Sequence, residues 1–378
     1  MRHRWRHLWG KPYFYKYKMI KRILYTLLIM FPVLASAQIN TDRVMAIGRN
    51  ALYFEDYVLS IQYFNQVINA KPYLSDPYFY RGLAKINLDD FQGAESDCSE
   101  AIERNPFVVS AYQVRGLARI QQNNFAGAIE DYTKALEFDP ENIGVWHNMA
   151  LCRIRQEDYK GAKNDLDKLI AISPRYTKAY LMRGEVDLKQ KDTLAAEKDF
   201  GKAIEIDRYD ADTWASRAIL RLQQQRYKDA EADFDHAIRL STRNSGVYIN
   251  RALARYHQNN LRGAMSDYDI ALDIDPNNFI GHYNRGLLRA QVGDDNRAIQ
   301  DFNFVIEMEP DNMMAIFNRG LLLDQTGDYK GAIKDYSTVI NEYPNFLLGY
   351  QYRAQARRKI GDVKGADADE FKVLKAQL

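Results

Sequence analysis

The amino-acid sequence predicts an all-α protein made of about ten consecutive helix–turn–helix repeats. Three observations indicate this fold class. Proline recurs every 34 residues or a multiple of 34, small residues recur at two fixed places in each interval, and apolar residues follow helical spacing in two runs per interval. A period of this length is typical of tandem repeats, which mostly offer binding surfaces. The recurring prolines are Pro72, Pro106, Pro140, Pro174, Pro276, Pro310 and Pro344.

Each repeat is taken to end two residues after its proline. This rule gives nine full repeats and a tenth that stops at Leu378, two residues short. The phase is kept where proline is replaced, since Arg208 and Thr242 occupy the expected places. The repeats begin at Thr41, Ser75, Val109, Ile143, Thr177, Ala211, Ser245, Phe279, Met313 and Leu347.

The first run of each repeat predicts a helix with Gly or Ala at its eighth place and, in eight of the ten repeats, a large ring at its fourth. The second run predicts another helix, with Ala at the twentieth place of every repeat except the first, where Ser60 stands. Small residues on both helices allow the two backbones to approach closely. The fourth-place rings are Tyr78, Tyr112, Trp146, Tyr180, Trp214, Tyr248, His282 and Tyr350.

Turn residues separate the two helices, as in Gly327-Asp328 and Gly361-Asp362. Glycine there suits the end of the first helix, and aspartate suits the cap of the second, because each satisfies backbone groups that a helix end leaves unpaired. The proline near the end of the repeat then prevents the second helix from continuing.

With its paired small residues, closing proline and an aromatic at the twenty-fourth place, the chain resembles the tetratricopeptide repeat family from Thr41 to Leu378. The resemblance implies a right-handed α-solenoid of antiparallel helix pairs, with the first helices lining a concave groove that binds proteins or peptides. It therefore implies one continuous domain over residues 38–378. The aromatics are Phe64, Tyr132, Phe200, Phe234, Tyr268, Phe302 and Tyr336.

Residues 19–37 have the features of a secretory signal peptide: a basic start, a short apolar stretch and the triplet Ala35-Ser36-Ala37. Cleavage would leave Gln38 first and place the protein in the periplasm or envelope of a Gram-negative-type bacterium. Residues 1–18 fit poorly before such a signal, so we interpret them as an upstream mis-start or an extended basic region. The alternative is an uncleaved membrane anchor, although the apolar stretch is shorter than the roughly 20 residues that span a bilayer.

The charge balance argues against nucleic acid as a ligand. Residues 1–37 hold eight Lys or Arg and no acid, so their removal changes the net charge from +2 to −6. Binding to phosphate backbones needs a basic surface. Membrane contact is expected only through an uncleaved signal segment.

No pattern in the sequence indicates catalysis, a cofactor or a metal. The sequence has no Gly-rich phosphate loop, no nucleophile motif and no His pair at metal-binding spacing. Cys98 and Cys152 fall two repeats apart, too far for a disulfide between stacked helix pairs, and are interpreted as small core residues. We therefore expect a protein that is not an enzyme.

Arginine at the seventh place and aspartate at the twenty-third recur together through most of the chain. Pairing within a repeat leaves only Asp165 without a partner, opposite Met149, whereas pairing with the next repeat leaves three mismatches. We favour pairing within the repeat and a structural role over a ligand-binding row of guanidiniums. This predicted Arg–Asp ladder comprises Arg81 and Asp97, Arg115 and Asp131, Arg183 and Asp199, Arg217 and Asp233, Arg251 and Asp267, Arg285 and Asp301, Arg319 and Asp335, and Arg353 and Asp369.

The resemblance implies that the second, fifth, sixth, ninth, twelfth and thirteenth places of the first helices line the groove, and the candidate binding site lies in repeats seven to nine. Asparagine side chains at the sixth place carry both a donor and an acceptor, which suits an extended peptide backbone, and exposed rings add apolar contacts. The candidates are Asn250, Asn284, Asn318, Tyr283, Phe317, Ile280, Met314, His257, Gln291 and Gln325.

The sequence thus favours an exported scaffold or adaptor that binds a protein or an extended peptide in its groove. One alternative is a structural member of an outer-membrane or secretion assembly that uses the convex face and the ends. A weaker alternative is a binder of cell-wall glycan.

Overall fold

The computed structural model describes residues 40–376, which contain twenty helices and no strand. The all-α fold of ten helix pairs is confirmed. The signal peptide predicted for residues 19–37, and residues 1–18, lie outside the described residues. The first helices of the repeats are α1 (Thr41–Tyr53), α3 (Asp76–Ile86), α5 (Val109–Gln121), α7 (Ile143–Arg155), α9 (Thr177–Lys189), α11 (Ala211–Gln223), α13 (Ser245–His257), α15 (Phe279–Gln291), α17 (Met313–Gln325) and α19 (Leu347–Lys359). The second helices are α2 (Tyr57–Ala70), α4 (Phe91–Arg104), α6 (Phe125–Phe138), α8 (Tyr159–Ile172), α10 (Thr193–Ile206), α12 (Tyr227–Leu240), α14 (Leu261–Ile274), α16 (Asp295–Met308), α18 (Tyr329–Glu342) and α20 (Val363–Lys375).

The described residues form two compact bodies, which divide between Pro174 and Arg175. The described part of the N-terminal body holds α1 to α8, and that of the C-terminal body holds α9 to α20. Within each body every helix packs against the helix before it and the helix after it, and the first helices α15, α17 and α19 also contact one another in turn. The uninterrupted superhelix over residues 38–378 stays a prediction.

The small residues bring the two helices of a repeat together around a buried ring. A Cβ atom at Gly116 would lie 2.7 Å from the ring of Tyr132 in the same repeat. At Gly184 it would lie 2.6 Å from the ring of Phe200. Both rings are almost fully buried. The repeated sizes in the sequence therefore record a repeated packing contact.

The turn between the helices is the same in all ten repeats. Its fifteenth place has a positive φ, which is +81°, +93° and +83° at Gly293, Gly327 and Gly361. The first seven repeats place a residue other than glycine there, although such residues adopt this conformation at a cost. The predicted aspartate cap is also present, since the backbone N–H of Gly331 donates to Asp328 Oδ1 at 2.9 Å. The seven residues are Glu55, Asp89, Asn123, Glu157, Lys191, Gln225 and Asn259.

Both cysteines are free and buried, as predicted. Burial raises the pKa of the Cys98 thiol to about 12 and that of the Cys152 thiol to about 11. Thiols held in this state are poor nucleophiles, so they act as small core residues.

Candidate functional site

The Arg–Asp ladder lies between the two helices of its repeats. In all eight of its repeats, the arginine donates through Nε and Nη2 to the aspartate sixteen residues later, for example from Arg251 to Asp267 at 3.0 and 2.6 Å. The aspartate side chains are almost completely buried. The structure therefore brings together every pair of the predicted ladder, including Arg81 with Asp97 and Arg353 with Asp369.

A second row of cations contacts the same carboxylates, and sequence analysis missed it. These residues stand at the eleventh place, one helical turn after the ladder arginine, so they share its face of the first helix. Arg255 Nη1, for example, donates to Asp267 Oδ2 at 2.9 Å. A basic residue at this place in seven of ten repeats was the available signal. The row is Lys85, Arg119, Arg153, Arg221, Arg255, Arg289 and Arg357.

Asp165 corrects one detail of the prediction. It was expected to lack a partner because Met149 stands opposite it, but Arg153 of the second row places Nε 2.8 Å from Asp165 Oδ2. The two atoms are not aligned for a hydrogen bond. Burial raises the pKa of Asp165 to about 6, and the charge of Arg153 offsets only part of this effect.

The ladder arginines also connect neighbouring repeats. Arg285 Nη1, for example, donates to Asp269 Oδ1 at 2.8 Å and Arg319 Nη1 to Asn303 Oδ1 at 2.8 Å, so each reaches a polar side chain at the twenty-fifth place of the preceding repeat. The arginines that make this contact are Arg81, Arg115, Arg251, Arg285, Arg319 and Arg353. Each of these guanidiniums thus joins three helices. Since its donors are committed to structural partners, the arrangement supports the structural interpretation.

The asparagines of the predicted groove are half-buried on α13, α15 and α17. Asn318 Nδ2 donates to the hydroxyl of Tyr283 at 3.2 Å, which connects α17 to α15. One amide donor of Asn318 is therefore already used within the protein. Asn250 and Asn284 occupy the equivalent places on α13 and α15.

Phe317 is a correction to the predicted groove. We expected an exposed ring, but only 8% of Phe317 is exposed. Its ring packs edge-on against Phe346 at a centroid distance of 5.0 Å and also contacts Tyr336 and Tyr352. Phe346 belongs to the loop before α19, so the residue that covers the ring of Phe317 comes from a different segment than α17.

Exposed apolar side chains follow the second place of the last three repeats. The exposed fractions are 51% for Ile280, 59% for Met314 and 49% for Leu348. We call these three residues the second-place stripe. They lie on α15, α17 and α19, which contact one another in turn, and Leu287 on α15 adds a further exposed side chain. Leu348 was missed because the candidate site was closed at the ninth repeat.

The remaining candidates stand at the last residues of three first helices. His257, Gln291 and Gln325 are all exposed, and His257 stacks on the ring of Tyr227 at 4.6 Å. In residues 40–376, no group of three or more His, Cys, Asp or Glu side chains is placed to bind a metal ion. No helix of that range has the length and apolarity needed to cross a bilayer.

Ten helix pairs with this periodic packing define the class of α-helical repeat proteins. Family models described as TPR repeat and tetratricopeptide repeat match residues 116–152, 143–176, 177–210, 216–279 and 283–345, which together make up more than half of the chain. The chain belongs to the tetratricopeptide repeat family. This fold is typical of scaffolds for protein–protein interactions, and the family is generally not enzymatic.

Solved structures show the same fold. A tetratricopeptide repeat protein from Parabacteroides merdae is 21% identical, with 66% of this chain and 98% of that chain covered and a TM-score of 0.51. The C-terminal part of a TPR repeat-containing protein from Cytophaga hutchinsonii is 17% identical, with 64% and 98% covered and a TM-score of 0.53. A search of curated proteins found no match.

Proposed function

We propose that the protein is an exported scaffold or adaptor that binds a segment of a partner protein across the first helices of its C-terminal body. The observation that carries this proposal is the second-place stripe. Large apolar side chains that share one surface and remain in water are typical of interaction sites. Burial of each by a partner removes apolar area from solvent and favours binding.

The stripe is a local feature of repeats eight to ten rather than a general feature of the repeat. In the first seven repeats the second place is polar, charged or glycine. Since all ten repeats form the same helix pair, the fold does not require an apolar residue there. The seven residues are Asp42, Asp76, Ser110, Gly144, Lys178, Asp212 and Gly246.

Polar groups beside the stripe suit a segment that presents its backbone. Asn250 and Asn284 carry amides on α13 and α15, and Gln291 and Gln325 add exposed amides at the ends of α15 and α17. Side-chain amides donate to and accept from a peptide backbone whatever its sequence. The stripe would then supply the selectivity for apolar side chains.

Selection from a random peptide library against the full chain tests this function. Affinities of enriched peptides are measured by fluorescence anisotropy with Ile280→Asp and Leu348→Asp variants, and each variant is expected to weaken binding at least about tenfold. Leu194→Asp is the matched control, because Leu194 is 80% exposed but lies on the second helix α10. Peptides that depend on Leu194 and ignore both stripe variants would favour a binding face formed by second helices.

Export is supported by the basic start, apolar stretch and small-residue triplet of residues 19–37. Processing after Ala37 predicts Gln38 as the first residue of the mature protein, which N-terminal sequencing checks. A mature protein that retains Leu34 would contradict cleavage. An unprocessed product that contains Trp5 would contradict the interpretation of residues 1–18 as an upstream mis-start.

A further inference from the structure

We propose that an apolar cavity beside α17 is an anchor pocket for one large apolar side chain of the partner segment, and that this segment carries Lys or Arg next to the anchor. The inference rests on the proposed function and adds the chemistry of the partner. The cavity has a volume of about 420 Å³. Its lining residues are Asp311, Asn312, Met313, Met314, Phe317, Val339, Tyr343 and Phe346.

Three segments form the cavity: the start of α17, the end of α18 and the loop that leads to α19. Phe317 lines its inner side, and Met314 connects it to the second-place stripe. The volume lies in the range of roughly 300 to 1,000 Å³ that is usual for ligand pockets. Six of the eight lining residues are apolar or aromatic, so the cavity fits an apolar side chain.

Tyr343 is the first reason to assign this cavity to a partner. It stands at the C-cap of α18, and its side chain is 55% exposed. The same place holds a polar or charged residue in each of the first eight repeats, which shows that the cap itself does not need an aromatic ring. The eight residues are Lys71, Asn105, Asp139, Ser173, Asp207, Ser241, Asp275 and Glu309.

Phe346 is the second reason. It stands at the N-cap of α19, where it makes no side-chain cap bond, whereas Asn278 and Asn312 cap α15 and α17 with hydrogen bonds of 3.0 Å. Val108 and Tyr176 also hold this place without a cap bond, so Phe346 alone would not distinguish the loop. Only the ninth repeat combines an aromatic ring there with an aromatic C-cap three residues earlier.

The two methionines make the wall adaptable. Met313 and Met314 are the first residues of α17, and Met314 is largely exposed. An unbranched, polarisable side chain adjusts its shape to different apolar groups. The pocket is therefore suited to a class of anchors rather than to one residue type.

The negative charge at the edge of the cavity indicates which residue type lies next to the anchor in the partner segment. Asp311 is the only charged residue that lines the cavity, and the exposed Glu342 directly precedes Tyr343. A basic residue beside the anchor would meet an acidic rim, whereas an acidic one would be repelled. The expected partner segment therefore combines an aromatic or large aliphatic residue with an adjacent Lys or Arg.

The experiment uses the full chain and a random peptide library displayed on phage. Enriched peptides are expected to share an apolar anchor next to Lys or Arg, and Tyr343→Asp and Phe346→Asn are expected to weaken their binding at least about tenfold. Both substitutions place residue types that other repeats carry at these places. Tyr343→Asp should preserve thermal unfolding, whereas Phe346→Asn also uncovers the ring of Phe317, so its affinity is measured well below its own melting temperature. Asp311→Asn combined with Glu342→Gln should reduce the salt dependence of binding.

The outcomes separate this inference from the proposed function. If Ile280→Asp and Leu348→Asp abolish binding while Tyr343→Asp and Phe346→Asn do not, the stripe binds partners and the anchor pocket is refuted. If none of the four changes binding, both proposals fail. Enriched peptides without a basic residue beside the anchor, or a library that yields no binder, also overturn the inference.

Discussion

Replacing the buried aspartate at the twenty-third place by asparagine should have opposite consequences in two different repeats. We expect Asp267→Asn to lower the free energy of unfolding of its region by about 3 kcal/mol. We expect Asp165→Asn to be neutral or stabilising at neutral pH. The two residues occupy the same place of the repeat and are both buried, so they differ mainly in their partners.

The magnitude for Asp267 follows from its two guanidiniums. Arg251 donates to it at 3.0 and 2.6 Å and Arg255 at 2.9 Å, while only 1% of the residue is exposed. Asparagine removes the buried carboxylate that both cations share, and each cation keeps only a more exposed one, since Arg251 also contacts Asp235 and Arg255 also contacts Glu231. Removing one member of a buried ion pair typically costs about 3 to 5 kcal/mol, and the lower end applies here because each cation keeps a second carboxylate.

Asp165 has the opposite balance. Met149 replaces the ladder arginine, burial raises the pKa of Asp165 from 3.8 to about 6, and Arg153 offsets only part of this rise. A carboxyl whose folded pKa lies above its unfolded value binds the proton more tightly in the folded state. The free energy of unfolding therefore falls as the pH rises from about 4 to about 6, and this loss is complete above that window. Asparagine does not titrate, so the advantage of Asp165→Asn should grow through the same window.

Hydrogen exchange measured by mass spectrometry resolves the two regions in one chain. Amides of α13 and α14 should exchange faster in Asp267→Asn than in the unmodified protein at the same pH. Amides of α7 and α8 should be unchanged or slower in Asp165→Asn at pH 7, and the difference should shrink at pH 4. Equal destabilisation by both substitutions, or an Asp165→Asn effect that is independent of pH, would refute the reasoning.

Two further substitutions test the ladder and the turn. Arg285→Met should lower the melting temperature, because Asp301 and Asp269 lose a shared partner, and should leave peptide affinity unchanged; a large loss of affinity with unchanged melting temperature would assign Arg285 to binding. Gln225→Gly should stabilise the protein by up to about 1 kcal/mol in thermal unfolding, because glycine adopts the φ of +61° without strain. A lower melting temperature would show that the entropy that glycine adds to the unfolded chain exceeds the strain that it removes.

The fold was predictable because the residues that make the contact between the two helices recur at the same places of the repeat. The Gly116 and Tyr132 contact within one repeat recurs as Gly184 and Phe200 two repeats later, so spacing alone locates the helix interface. The ladder was predictable for the same reason, since both of its residue types recur at fixed places. The second row was missed because a carboxylate can accept from several cations, and a pairing argument assigns only one to each.

Burial within the candidate site was less predictable than the fold. The place of Phe317 in its repeat indicates the face of α17, but its exposure depends on Phe346, which comes from the following loop. The equivalent loop one repeat earlier, before α17, carries Asn312 at the same place. The exposure of such a side chain cannot be predicted from its place in the repeat, because the residue that covers it does not recur in the other repeats.

Residues that differ from the type usual at their place in the repeat are of two physical kinds. Met149 replaces a ladder arginine inside the protein, where it is 4% exposed and leaves Asp165 poorly paired, so its effect is confined to stability. Tyr343 replaces a polar cap on the surface and places an aromatic ring in water beside an apolar cavity. A partner cannot reach the first departure without unfolding the repeat, but it can reach the second directly. Surface departures that add apolar area are therefore the ones that a partner can use, and Met314, Tyr343 and Phe346 bring three of them to the cavity beside α17.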